Sequence, residues 1–197
     1  MKNIGEKQSC YLVLFVIFFD QITKILVASL MTYGNDGSIE IIGNLFKLTY
    51  ILNPGMAFGI QLGFKYDKVI LTIFRIILSY FIAKHIKQVI NNNNNGTHNI
   101  YIFSLSLILG GAIGNTIDCI LYPFIFENNL PINAPFTLFY GQVVDFLNLT
   151  IYSGYLPQSL PFIGGKYISL FPIGNVADVM IIIGGTLLLL KPYKEKS

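Results

Sequence analysis

Residues 100–121 read IYIFSLSLILGGAIGNTIDCIL, a run without a charged side chain until Asp118. About 20 mostly apolar residues are enough to carry a helix across a bilayer. Gly110 and Gly114 form a small-xxx-small pair, which lets a neighbouring helix approach closely. Three other stretches have the same character: about 11–31, 69–90 and the slightly short 173–190. Four spanning helices are predicted. The Lys2 and Lys7 that precede the first run suggest a signal peptide, but Asp20 and Lys24 interrupt it and no small-x-small cleavage site follows. It reads as a retained first helix.

Composition points the same way. Of 197 residues, 53% are hydrophobic and 12% charged, and the mean hydropathy is +0.61. A soluble domain averages about 25% charged residues, so this chain lacks the polar surface of a soluble enzyme. Abundant apolar side chains and a net charge of only +3 exclude disorder. The pI near 8.8 does not imply nucleic acid, because Lys and Arg are too thinly spread. Residues 1–197 are expected to form one integral-membrane domain.

Orientation follows from basic residues in short loops. Lys2, Lys7, Lys84, Lys87, Lys191, Lys194 and Lys196 fall on the side of the termini, against Lys47, Lys65, Lys68 and Lys166 in longer segments opposite. Seven against four places both termini in the cytoplasm. Cys10 and Cys119 then lie on opposite sides of the membrane and form no disulfide. His85 and His98 are expected alone in a polar loop with the Asn91–Asn95 run, and no Cys/His cluster has metal spacing, so no cofactor is expected. Outside, 32–68 alternates apolar and polar residues around Ile39–Ile42 and Phe46–Ile51, which predicts short surface strands. The long loops 122–142 and 147–170 are external as well.

Four of the ten acids lie in or beside apolar sequence: Asp20, Asp118, Asp145 and Asp178. An Asp at mid-bilayer costs about 2.5–3.5 kcal/mol on insertion scales, so such residues are functional candidates. Asp20 lies near the middle of the first span. Asp118 is expected to close the third span and Asp178 to open the fourth, with Asp145 in Val143-Val144-Asp145-Phe146 between them. All three then gather at the outer face. Gly114-Asn115-Thr116-Ile117-Asp118 and Gly174-Asn175-Val176-Ala177-Asp178 repeat one pattern, with Asn and Asp at i, i+3 on one helical face. Two close carboxylates cannot both ionise cheaply, so one keeps a proton near neutrality. The ionised partner can take a proton from water and the protonated one can donate to a carbonyl. That is aspartic-protease chemistry, and asparagine amides beside it can orient a peptide or stabilise an oxyanion.

In order, Asp20 with Lys24, Asn53-Pro54-Gly55-Met56-Ala57-Phe58, the Gly110–Asp118 block, Val143-Val144-Asp145-Phe146 and Asn175-Val176-Ala177-Asp178 resemble the lipoprotein signal peptidases (signal peptidase II) over essentially the whole chain. The resemblance implies a membrane all-α fold: a four-transmembrane-helix bundle with a small outer β-cradle and long extracytoplasmic loops. It implies an aspartyl endopeptidase of the bacterial inner membrane, its site at the outer face. Such an enzyme removes the signal peptide from diacylglyceryl-modified prolipoproteins, cutting just before the lipidated Cys. By motif, Asp145 and Asp178 match the catalytic pair, Asn53, Asn115 and Asn175 the residues that hold the substrate backbone, and Asp20 and Asp118 supporting acids. The expected partners are the prolipoprotein and membrane lipid, with the enzyme a monomer.

The chain departs from the family pattern at Cys119, where Arg is usual, at Gly174, where Phe is usual, and in longer Asp118–Asp145 and Asp145–Asp178 intervals. Arg75, near the outer face of the second span, is placed to compensate for Cys119. Two other readings stay open. One is a catalytically weakened member that binds lipoproteins without cutting them. The other is a small transporter using the acids as a path, although Asp20 is the one acid that lies deep and the five-residue echo is too short for an internal repeat.

Overall fold

The computed structural model describes residues 4–54, 66–92, 98–132, 134–150, 153–155, 157–159, 165, 167–169 and 173–191. Three of the described helices are long and apolar enough to cross a membrane: α1 (Glu6–Leu30), α2 (Asp67–Asn91) and α3 (Asn99–Ile125). A shorter apolar helix, α4, covers Val176–Leu190. α3 is the hub. Its most apolar window is 61% buried, against 22% for α1 and 17% for α2, and it packs against all three other helices.

The glycines explain how the hub is built. A Cβ on Gly110 would lie 2.7 Å from Val16 Cβ of α1, and one on Gly111 would lie 2.5 Å from the Ala177 carbonyl of α4. Adjacent residues thus open different flanks of α3 to two different helices. Lipid is as apolar as leucine, so close packing and interhelical hydrogen bonds must hold these helices together. Ser106 Oγ meets Ser9 Oγ of α1 at 2.7 Å. Ser104 and Thr116 return their hydroxyls to carbonyls one turn back, which leaves no donor bare in an apolar setting.

A three-stranded antiparallel sheet, β1 (Ile39–Ile42), β2 (Phe46–Asn53) and β3 (Val143–Leu149), is ordered β1-β2-β3. β4 (Ser153–Tyr155) and β5 (Tyr167–Ser169) pair separately. β3 is gripped on both edges. β2 lies along one, with Ile51 opposite Asp145. On the other, Phe146 and Leu147 donate to the Gly174 carbonyl at 2.8 and 2.7 Å. This explains why Val143–Phe146 are all buried. Beneath the sheet, Val27, Tyr50, Tyr122, Val144, Phe146 and Val176 form one apolar cluster; Ile86, Val89, Ile102, Leu105 and Leu109 form a second toward the start of α3.

Several boundaries correct the sequence reading. α1 starts at Glu6 rather than about 11, because the helix extends beyond the apolar stretch into its polar flank, and α3 runs through Pro123 to Ile125 rather than stopping near 121, along the apolar residues Tyr122, Phe124 and Ile125. Asp118 therefore lies inside α3 and does not close it. α4 starts at Val176 rather than 173, because Asn175 is its N-cap. His85 is no loop residue: it lies in α2, with Nε2 3.1 Å from the Tyr101 hydroxyl. The 122–142 and 147–170 regions are not loops throughout, since α3, a short helical turn at Glu127–Asn129, the end of β3, and β4 and β5 occupy parts of them. Both cysteines are free, Cys10 exposed and Cys119 buried. Gly55–Phe58 and Asn133 lie outside the described residues.

Candidate active site

All four membrane-associated aspartates meet where α1, α3, α4 and β3 converge, linked by three asparagines and one lysine. Lys24 lies one turn after Asp20 on α1, so both point the same way. Its Nζ is 2.8 Å from Asp20 Oδ2, 2.8 Å from Asp118 Oδ2 and 2.8 Å from Asn115 Oδ1. Lys24, Asp20 and Asp118 are fully buried. A buried charge persists only when it is paired and hydrogen-bonded, and here an ammonium with three donors has three acceptors.

The two supporting acids also tie elements together. Asp20 Oδ1 accepts from the Ala177 amide in the first turn of α4 at 2.9 Å, where the helix N-terminus favours negative charge. Asp118 Oδ2 accepts from the Val144 amide at 3.1 Å, which fixes β3 one residue before Asp145. Gln21 Nε2 spans both acids, at 3.1 Å from Asp20 Oδ2 and 2.9 Å from Asp118 Oδ1. Space for this is made at Gly114, where a Cβ would lie 2.6 Å from Asp20 Oδ2.

Asp145 and Asp178 are joined through Asn175. Asn175 caps α4 with a reciprocal pair of bonds: its Oδ1 accepts from the Asp178 amide at 3.0 Å, and its own amide donates to Asp178 Oδ2 at 3.1 Å. With Oδ1 so committed, its Nδ2 reaches Asp145 Oδ1 at 2.7 Å and Asn115 Oδ1 at 3.1 Å. Asn53 Nδ2 donates to the other Asp145 oxygen at 2.8 Å, and Asn115 Nδ2 to Asp178 Oδ1 at 2.9 Å. The two Gly-Asn-x-x-Asp echoes are therefore not alike. Asn115 and Asp118 sit inside a helix, whereas Asn175 lies outside the helix that Asp178 opens, a capping box rather than a shared face.

Burial, reinforced by the charge of Asp178, pushes the Asp145 carboxyl up to about 7, against the downward pull of the Asn53 and Asn175 amides. Asp145 is fully buried while Asp178 is only partly so, and the site opens to its surroundings on the Asp178 side.

The approach to β3 is clasped from α2 and α3. Lys68 Nζ donates to the Tyr140 and Gly141 carbonyls at 3.0 and 3.2 Å, and Thr72 Oγ1 to the Phe139 carbonyl at 3.3 Å. Gly141 donates to the Cys119 carbonyl at 3.0 Å, and a Cβ there would run into the Asp118 carbonyl. Asn129 and Gln142 close the loop with three further bonds.

Every acid and asparagine singled out in the sequence lies in this cluster. Two participants were missed: Gln21, and Lys24 as the hub of the buried charges. The i, i+4 spacing of Asp20 and Lys24, with a lysine inside an apolar run that needs an acid partner, was the available signal. Arg75 does reach Cys119, with Nη1 3.4 Å from Sγ.

A membrane-type fold of apolar helices and a small sheet, with two linked carboxylates between them, defines the class: a membrane protein with a paired-aspartate centre. A family model described as signal peptidase (SPase) II matches residues 12–194, and the chain belongs to that family, which cleaves the signal peptides of prolipoproteins. It is 46% identical over 177 residues to the lipoprotein signal peptidase of Amoebophilus asiaticus, covering 90% of this chain and 74% of that one. It is 35% identical over 188 residues to that of Porphyromonas gingivalis, covering 90% and 79%. A solved bacterial membrane enzyme at 2.3 Å resolution superposes with a TM-score of 0.61 at 27% identity, covering 100% of this chain and 97% of the other.

Proposed function

We propose that this chain removes the signal peptide from diacylglyceryl-modified prolipoproteins, cutting before the lipidated Cys, with Asp145 and Asp178 as the catalytic dyad. The observation that carries this reading is the bridge through Asn175 between two carboxylates, one of which, Asp145, holds its proton up to about 7. Asp178 takes a proton from water as the oxygen attacks the scissile carbonyl carbon. Asp145 donates its proton to the carbonyl oxygen. On collapse, Asp178 returns its proton to the departing amine and Asp145 recovers one from the tetrahedral hydroxyl. Asn53 and Asn175 orient Asp145, Asn115 orients Asp178, and these amides line the place where the substrate backbone lies.

The bundle is read as four-spanning, with both termini cytoplasmic. The β1–β3 sheet forms a cradle at the outer face of the inner membrane, and the enzyme acts as a monomer without a cofactor. Backbone groups in a helix are already paired, so the signal peptide must present an extended stretch to be cut. The diacylglyceryl group anchors that stretch, at about 0.8 kcal/mol per buried CH₂, and spends remote binding energy on position at the reacting bond.

The test is a time course of precursor with and without prior diacylglyceryl transfer, using purified protein in detergent and an Asp178→Asn control. The lipidated precursor is expected to shift on a gel with the unaltered chain only. Equal rates on both precursors would overturn the lipid requirement, and cleavage by Asp178→Asn would overturn the dyad.

A further inference from the structure

An asparagine amide has an oxygen and a nitrogen of nearly the same shape, so a half-turn of the amide exchanges an acceptor for two donors. At Asn115 that choice matters, because one end of the amide faces Asp178 and the other faces the buried lysine. We propose that Lys24 is a positioning residue for the reaction: by donating to Asn115 Oδ1 it holds this amide with Nδ2 toward Asp178. This rests on the dyad reading above.

The geometry leaves one arrangement. Lys24 Nζ, 2.8 Å from Asn115 Oδ1, can only donate. Asn175 Nδ2, 3.1 Å from the same oxygen, also donates, since the Asn175 oxygen is committed to the Asp178 amide. Two donors converge on one end of Asn115, so its own donor faces Asp178 Oδ1 at 2.9 Å. Reversed, the amide would set its NH₂ against an ammonium and a second NH₂, and its oxygen against the Asp178 carboxylate. That last contact becomes a bond only when Asp178 is protonated, the form that cannot take a proton from water.

Of the two donors at Asn115 Oδ1, Lys24 supplies the larger bias. Its bond to Asn115 is charge-assisted and shorter, and such bonds are roughly twice as strong as neutral ones. Asp20 and Asp118, which the ammonium also touches, hold it in place. Among the described residues, the charged and titratable groups around this pair are Asp20 and Lys24 from α1, Asp118 from α3, Asp145 from β3 and Asp178 itself. Lys24 touches no reacting atom. Its influence on Asp178 passes through one amide.

The experiment measures kcat and KM against pH on the lipidated precursor for Lys24→Met and for Asp20→Asn/Lys24→Met. The double variant keeps the net charge of the cluster, which separates amide orientation from the loss of a nearby cation. Both are expected to lose stability, because buried Asp118 loses its cation, yet to fold and to keep KM within about twofold, while the acidic limb of kcat moves up by about one unit. Below that limb kcat falls about tenfold. A limb that moves in the single variant and returns in the double would make the effect one of charge alone and overturn the proposal. So would an unmoved limb in both, or failure of both to fold, which would make Lys24 a folding residue only. Asp178→Asn runs alongside: if it cleaves, the dyad reading fails, whereas an unmoved limb beside an inactive Asp178→Asn removes only the role of Lys24.

Discussion

From Asn99 to Leu109, α3 buries Ile102, Leu105 and Leu109 against Ile86 and Val89 of α2, with a serine pair as its tie to α1. From Gly110 to Tyr122 the same helix buries Asn115, Thr116 and Asp118 against Lys24, Asp20, Asp178 and Asn175. The first half is held mainly by contacts that need shape but no direction, with the serine pair and the Ile4 amide on Asn99 Oδ1 as its directional ties. Around Asn115 and Asp118 the second is held by bonds in which each donor has a specified acceptor, so a change at one atom propagates to the next. One continuous helix thus has a tolerant half and an exacting half, and the proposed dyad, on β3 and α4, is tied to the second through Asn115 and Asp118.

The largest effect is expected at Asp145. Asp145→Asn keeps the size of the side chain but removes the proton that the dyad shares, and loss of general acid–base catalysis is worth about 10²–10⁴-fold in rate. Cleavage is expected to fall by that much while the protein stays folded in detergent. Stability should report the same group. The folded chain keeps the Asp145 proton up to about 7, whereas an unfolded chain releases it near about 4. Between those values the fold binds the extra proton, so stability falls as pH rises through the window and levels off above it. Denaturation of the unaltered chain across this range should show that slope, and Asp145→Asn should flatten it. A variant that retains both the slope and the rate would remove Asp145 from the centre.

The exacting half was more legible in the sequence than its bonding was. Aspartates in apolar sequence announce themselves by their cost, and Asp20, Asp118, Asp145 and Asp178 all proved to be in the cluster. Their partners are harder to read. Nothing local shows that Asp118 receives the Val144 amide or that Asn129 clasps Gln142, because these contacts depend on how separated elements pack. Asn175-x-x-Asp178 carried a capping-box signature that competes with the shared-face reading, and the cap prevailed because Asn175 has extended backbone angles. The strands near Ile39–Ile42 and Phe46–Ile51 were visible as alternation. The helix ends were not: an apolar count stops where the charges begin, as before α1, and the apolar Tyr122–Ile125 stretch around Pro123 gave no signal for where α3 stops.

Gly114→Ala tests how little room the exacting half has. The added methyl would lie 2.6 Å from Asp20 Oδ2, and that carboxylate is held by Lys24, Gln21 and the Ala177 amide. Overpacking costs about 1–3 kcal/mol, and here it should disturb cleavage as well as stability. In the tolerant half, Ile102→Ala removes a fully buried side chain. Its cost is expected near about 2 kcal/mol, the low end for a buried Ile→Ala change, because lipid leaves little transfer contribution between helices. The rate per folded molecule should not change. Thermal denaturation in detergent together with kcat distinguishes the two, and an equal loss of kcat in both variants would erase the contrast.

The smallest expected effect lies at the outer strand of the sheet, where polar contacts exist without the constraint that burial imposes. Lys47 Nζ and Glu40 Oε1 are 2.8 Å apart across β1 and β2, with the glutamate side chain 57% exposed. Solvent and salt screen such a pair, and exposed pairs contribute about 0–1 kcal/mol. The Lys24–Asp118 pair has the same length but no exposure at all, so distance alone would rank the two as equals. Glu40→Gln is expected to change stability by less than about 0.5 kcal/mol and to leave kcat unaltered. Denaturation at low and high salt checks this, because any contribution of the pair should vanish at high salt. A loss of cleavage with stability unchanged would show that β1 takes part in handling the substrate, and would extend the exacting region from α3 to the edge of the sheet.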